Sequence, residues 1–167
     1  MTKTVLGFEF SADTCIQCHA CETACKTWRG LEPGISWRRV IGRFMGQYPK
    51  TRLISVSVSC LHCSEPPCAE VCPVNAIEKR GEDGAVLVDA ALCVGCRLCK
   101  SACPVGAPQF GSDGRMQKCD MCVACAEPGE TLPACVLVCP TGALSRREMP
   151  VEEKRELDSR LTALLYG

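Results

Sequence analysis

Sixteen of the seventeen cysteines in this 167-residue chain fall into four groups of four. They are Cys15, Cys18, Cys21 and Cys25; Cys60, Cys63, Cys68 and Cys72; Cys93, Cys96, Cys99 and Cys103; and Cys119, Cys122, Cys135 and Cys139, with Cys125 left over. Groups one and three read C-x2-C-x2-C-x3-C, group two C-x2-C-x4-C-x3-C and group four C-x2-C-x12-C-x3-C. Three thiolates two residues apart can wrap a tight loop around one iron-sulfur cube, each sulfur reaching a different iron. A fourth cysteine, four residues further along a short helix, is displaced by about 6 Å of axial rise. In runs of this kind it serves a neighbouring cube. Zinc asks for two-cysteine hooks from two separated segments, with no third cysteine at the same short spacing. Only group four, with EPGETLPA inside its long gap, would suit zinc on its own.

Composition agrees. Cysteine makes up about 10% of the chain, the level at which its chemistry dictates the fold. The apolar fraction of 47% includes the cysteines, and there are only eight aromatics, so the greasy core is thin and the chain without its metal should fold poorly. A disulfide scaffold is a poor fit, because the cysteine count is odd and the start of the chain carries no export signal. No run of 18 or more apolar residues is present, so no membrane-spanning segment is expected. Nineteen basic residues balance nineteen acidic ones, and nucleic acid is not indicated.

The elements that must position these thiols are short. VSVS (56–59) and AVLVDA (85–90) alternate like strands, while PPCAEVC and RLCKSAC read as helices of one or two turns. CPVNAI, CPVGAP and CPTGAL follow three of the four groups, an internal repeat at intervals of 31 and 36 residues. Proline after the last cysteine stops the helix before it. Pro150 and the acidic start of VEEKRELDSRLTALLY predict a C-terminal helix with Leu157, Leu161, Leu164 and Leu165 on one face. That face either packs on its own module or meets a partner.

The phrases ISVSVSCLHCSEPPCAEVCP, DGAVLVDAALCVGCRLCKSACPVGAPQF, KCDMC and LPACVLVCPTGAL resemble the four-cluster iron-sulfur subunits of molybdopterin oxidoreductases, of the dimethyl sulfoxide reductase and polysulfide reductase type. The resemblance implies an α+β fold of two ferredoxin-like modules with two [4Fe-4S] clusters each. The first would comprise residues 1–55 and 104–148, the second, 56–103, would be inserted within it, and an amphipathic helix would occupy 149–167. It also implies four ligand sets: Cys15, Cys18, Cys21 and Cys139; Cys60, Cys63, Cys68 and Cys103; Cys93, Cys96, Cys99 and Cys72; and Cys119, Cys122, Cys135 and Cys25. Nitrate reductase relatives replace one third-group cysteine by tryptophan. Here Cys96 and its neighbours are intact, so all four clusters should be [4Fe-4S].

The implied partners are a molybdopterin catalytic subunit and a membrane anchor, the chain itself being a peripheral, non-catalytic relay. The alternative is the same role in a hydrogenase or formate-linked complex. No phosphate loop, nucleophile motif or flavin fingerprint suggests catalysis by this chain. His19 and His62 lie inside ligand loops but replace no cysteine, so they are expected to be loop residues, and Cys125 a bystander thiol. From Lys26 to Ser59 seven basic residues face a single Glu32. That insert is expected either to be a solvated hairpin whose Trp37, Val40, Ile41, Phe44 and Tyr48 cover the clusters, or to offer Arg38, Arg39 and Arg43 as a docking surface.

Overall fold

A computed structural model describes residues 3–123 and 132–166. Cys125 and most of the group-four loop lie outside the described residues. The order is β1 (Thr4–Phe10), α1 (Ala20–Trp28), β2 (Arg39–Met45), β3 (Arg52–Val58), α2 (Pro67–Glu70), β4 (Ile77–Lys79), β5 (Val86–Val88), α3 (Leu98–Ala102), β6 (Gln109–Phe110), β7 (Met116–Gln117), α4 (Ala134–Leu137), β8 (Leu144–Pro150) and α5 (Val151–Tyr166). The strands pair antiparallel in twos: β1 with β8, β2 with β3, β4 with β5 and β6 with β7.

The chain closes on itself, because β1 pairs with β8 from Thr4 opposite Pro150 to Phe10 opposite Leu144. Helix α1 packs against α4, and α2 against α3. The helices are short because prolines bound them. Pro67 opens α2 and Pro133 precedes α4, where the missing N–H costs nothing. Cys103, which ends α3, is already extended at ψ 120° before Pro104.

Strand β3 departs from simple alternation. Val56 and Val58 are fully buried and pack with Val105, Ala107 and Leu165, each buried Val or Leu contributing about 2 kcal/mol. The intervening Ser57, with Ser55 and Ser59, is buried too, which an alternating pattern does not predict. What these serines face is described below.

Helix α5 runs over β1, β3 and β8. Leu161, Leu164 and Leu165 join the core containing Val56 and Val58, so the leucine face packs on its own molecule and is not a free surface. Lys154, only 2% exposed, donates from Nζ to the Leu61 carbonyl at 2.6 Å and to Asp158 at 2.5 Å, tying the helix to the loop between Cys60 and Cys63.

The basic insert meets each of the two expectations made for it only in part. Trp37, Val40 and Ile41 do pack over the cysteine-containing cores. Phe44 and Tyr48 do not, being 80% and 92% exposed near the turn of the β2–β3 hairpin. Arg38 is buried at 2% exposure, and Arg39 spends its Nη2 on the Val105 carbonyl at 2.8 Å. Neither offers a free charge to a docking partner.

Candidate metal centres

The four cysteine loops share one backbone device. The residue two after each group's first cysteine has positive φ: Gln17 at 55°, His62 at 50°, Gly95 at 70° and Met121 at 62°. This left-handed turn folds the chain back over the sulfur. His62 and Met121 then donate their backbone N–H to Cys60 Sγ and Cys119 Sγ, both at 3.4 Å. A second turn follows each Cys-Pro, at Asn75, Gly106 and Gly142 with φ of 50°, 62° and 65°. It aims the next N–H back as well, Ala76 to Cys72 Sγ and Ala107 to Cys103 Sγ, both at 3.3 Å. Met116 does the same for Cys93 at 3.3 Å. Backbone donors aimed at sulfur favour the thiolate over the thiol, which is what an iron ligand must be.

The sulfurs come together in fours drawn from different parts of the chain. One pocket is lined by Cys60, Cys63, Cys68 and Cys103, with Lys118 at its wall. A second is lined by Cys72, Cys93, Cys96 and Cys99. A third is lined by Cys15, Cys18, Cys21 and Cys139. Cys119, Cys135 and Cys122 each act on Cys25 through charge. Arg29 pairs with Asp120, holding the end of α1 against the loop between Cys119 and Cys122. None of these sixteen cysteines is joined in a disulfide. Among the described residues, no three His, Cys, Asp or Glu side chains converge on a point where a single metal ion could sit. Four sulfurs around one pocket suit a cube.

Burial makes these thiols reluctant acids in the absence of metal. It pushes Cys25 up to about 12, helped by the charges of Cys119 and Cys135. It likewise pushes Cys60 up to about 12 and Cys99 to about 11. Iron supplies the positive charge that a buried thiolate lacks, so loading releases protons. Cys139 goes the other way: burial is outweighed by backbone hydrogen bonds at Leu144, Thr141 and Ala143 and by the Thr141 hydroxyl.

The two histidines differ. His19 is exposed and contacts Glu22 at 3.1 Å. His62 is fully buried, and its Nδ1 accepts from the Val86 N–H at 2.9 Å. Burial, then the charges of Lys118, Lys154 and Arg38, push its pKa well below the usual value, so the ring is neutral. Two buried cations lie near the thiols: Arg38, from the basic insert, and Lys118, which sequence reasoning passed over. The serines of VSVS were the available signal for Arg38.

Sulfur-lined pockets on short ferredoxin-type turns define an iron-sulfur protein. The sequence matches the family described as a 4Fe-4S dicluster domain over residues 51–149 and a 4Fe-4S binding domain over residues 12–28. It is 39% identical over 170 residues to the probable anaerobic dimethyl sulfoxide reductase chain YnfG of Escherichia coli strain K12, covering 96% of this chain and 81% of that one. The figures are the same for a subunit of the anaerobic dimethyl sulfoxide reductase of that strain. It is 40% identical over 152 residues to the formate dehydrogenase iron-sulfur subunit of Wolinella succinogenes, covering 78% of this chain and 69% of that one. The chain belongs to the 4Fe-4S dicluster family and is an iron-sulfur electron-transfer subunit of the kind found in oxidoreductase complexes. Among the described residues no helix is long and apolar enough to cross a membrane.

Proposed function

We propose that the chain holds four [4Fe-4S] cubes and passes single electrons through them between a molybdopterin catalytic subunit and a membrane-anchored, quinone-linked partner. On this reading it is peripheral to the membrane and carries no catalytic site of its own. The ligand sets are Cys15, Cys18, Cys21 and Cys139; Cys60, Cys63, Cys68 and Cys103; Cys72, Cys93, Cys96 and Cys99; and Cys25, Cys119, Cys122 and Cys135. The observation that carries the proposal is that three pockets are each lined by the four sulfurs of one set. The influence of Cys119, Cys135 and Cys122 on Cys25 supports the fourth. Every set crosses between groups, taking three cysteines from one and the last from its partner.

The module arrangement follows the same crossing. Residues 1–55 and 104–148 form one two-cluster module, 56–103 form the module inserted within it, and 149–167 form the terminal helix. Pairing of β1 with β8, and of α1 with α4, supports the outer module, and packing of α2 on α3 supports the inner.

The bound cubes supply one-electron redox chemistry. This chain's own residues hold them by sulfur, shield them with the Val56, Val105 and Trp37 core, and direct backbone N–H groups at the ligand sulfurs. The relatives named for dimethyl sulfoxide reductase support a reductase complex. The formate dehydrogenase relative keeps a formate-linked complex as the second reading. Purification of the chain from its native host under anaerobic conditions separates these. About sixteen iron and sixteen labile sulfide per chain, with a large molybdenum subunit in the same fraction, is the expected result. Zinc without labile sulfide refutes the relay. The activity of the co-purified large subunit distinguishes the two complexes.

A further inference from the structure

Arg38 is an anomaly in a chain whose other arginines reach water or pair with carboxylates. It is 2% exposed and lies against β3. Its Nη1 donates to Ser57 Oγ at 3.2 Å and its Nη2 to Ser59 Oγ at 3.0 Å. The guanidinium lies over the Phe8 ring, 4.4 Å from its centre. Nε has no hydrogen-bond partner among the described residues. The hydroxyls are neutral, so they satisfy donors without balancing charge. The charged neighbours felt most strongly are Cys135, Cys119 and Cys21, and Arg38 also donates to the Cys135 thiol. Ser57 Oγ is itself 3.5 Å from Cys21 Sγ, which links the cation to a second thiol.

A guanidinium cannot escape burial by losing its proton. Buried without a counter-charge it is strongly destabilising, whereas buried beside thiolates it is balanced. The negative charge that bears on it most strongly comes from the two ligand sets containing Cys21 and Cys135. We propose that Arg38 is a fixed internal cation that raises the reduction potential of the clusters held by those two sets. The inference rests on the ligand assignment above. Reduction adds one electron and one negative charge to a cluster, with no bond broken and no proton required. A cation fixed in a water-poor interior therefore stabilises the reduced form more than the oxidised one. Ser57 and Ser59, on this view, hold that cation beside the two ligand sets.

The test compares wild-type, Arg38→Gln and Arg38→Lys proteins, each assayed for iron and labile sulfide and titrated with dithionite under EPR observation. The signals are assigned by the Cys18→Ser, Cys119→Ser and Cys96→Ser variants. In a loaded Gln variant, the signals lost in Cys18→Ser and Cys119→Ser should become at least tenfold harder to reduce, about 59 mV for a one-electron couple. The signal lost in Cys96→Ser should stay in place, and the Lys variant should keep wild-type potentials. Unmoved potentials in a loaded Gln variant overturn the proposal, and so does an equal shift of all signals. Should the Gln variant lose its iron, the Lys variant decides: wild-type potentials uphold the proposal and a tenfold fall overturns it. A wild-type protein with fewer than four cubes would instead undo the ligand assignment beneath it.

Discussion

Replacing Cys25 by Ser separates ligation across the chain from ligation within a group. Cys25 is on the last turn of α1, four residues after Cys21, so the helix carries its sulfur about 6 Å along the axis from that of Cys21. It is 8% exposed, and the thiols that most affect it are Cys119, Cys135 and Cys122, not Cys15 or Cys18. A serine hydroxyl is a far poorer ligand than a thiolate in a pocket this dry. The expected loss is therefore one cube of four, from about sixteen iron atoms per chain to about twelve. The decisive assay is EPR of the reduced protein beside the Cys119→Ser and Cys18→Ser variants. Cys25→Ser and Cys119→Ser should remove the same signal, and Cys18→Ser a different one. If Cys25→Ser and Cys18→Ser remove one signal in common, the crossing of group one with group four is wrong.

Lys154→Met breaks a buried pair and strips a donor from the Leu61 carbonyl, so it should cost about 3 kcal/mol in denaturant unfolding, with partial recovery in Lys154→Met/Asp158→Leu. Whatever fraction of the metal-free protein folds should fall further as pH rises above 9. Its buried Cys25 and Cys60 keep their protons to about 12 while unfolded thiols ionise near 9, costing about 1 kcal/mol per thiol by pH 10. The loaded protein, whose thiols have already given their protons up to iron, should lack that slope in thermal melts over the same range. Phe44→Asp with Tyr48→Ser, at the exposed end of the hairpin, should lower turnover several-fold in the assembled complex at constant iron content. Unchanged turnover there would leave the hairpin without a docking role.

The four cysteine groups were legible in the sequence because coordination chemistry fixes spacing directly, whatever the surrounding fold does. The C-terminal helix was legible for a similar reason, its leucines recurring at helical intervals. Pairing of β1 with β8 was not signalled by TVLGFEF or LSRREMP themselves, since a strand carries no label for a partner more than 130 residues away. The left-handed turns were hidden for another reason. Only Gly95 advertises the position, while Gln17, His62 and Met121 occupy the same place in their groups without glycine's freedom. Cluster ligation over-determines the loop, so the strain is tolerated. Arg38 misled because composition sees a charge run, whereas the structure sees one charge taken inward by two serines.

Exposure and charge together suggest how a row of such clusters would carry electrons. Cys18 and Cys96, from the sets containing Cys139 and Cys72, are exposed. Cys25, Cys119 and Cys135, with Cys60 and Cys68, are buried. On the proposed sets, two clusters therefore reach the surface and two lie between them. The buried pair adjoin, since Cys119 acts on Cys60 through charge. Two of the junctions hold a buried cation. Arg38 stands between Cys21 and Cys135, and Lys118, 3% exposed, donates to the Cys119 carbonyl at 3.2 Å while its charge favours the thiolates of Cys60 and Cys68. Each cube with its four thiolates carries about two negative charges, and neighbouring clusters that both take electrons repel. Cations fixed at the junctions offset that repulsion where water cannot, while the two outer clusters are screened by solvent. The interior of the row is then no barrier to an electron entering at either exposed end.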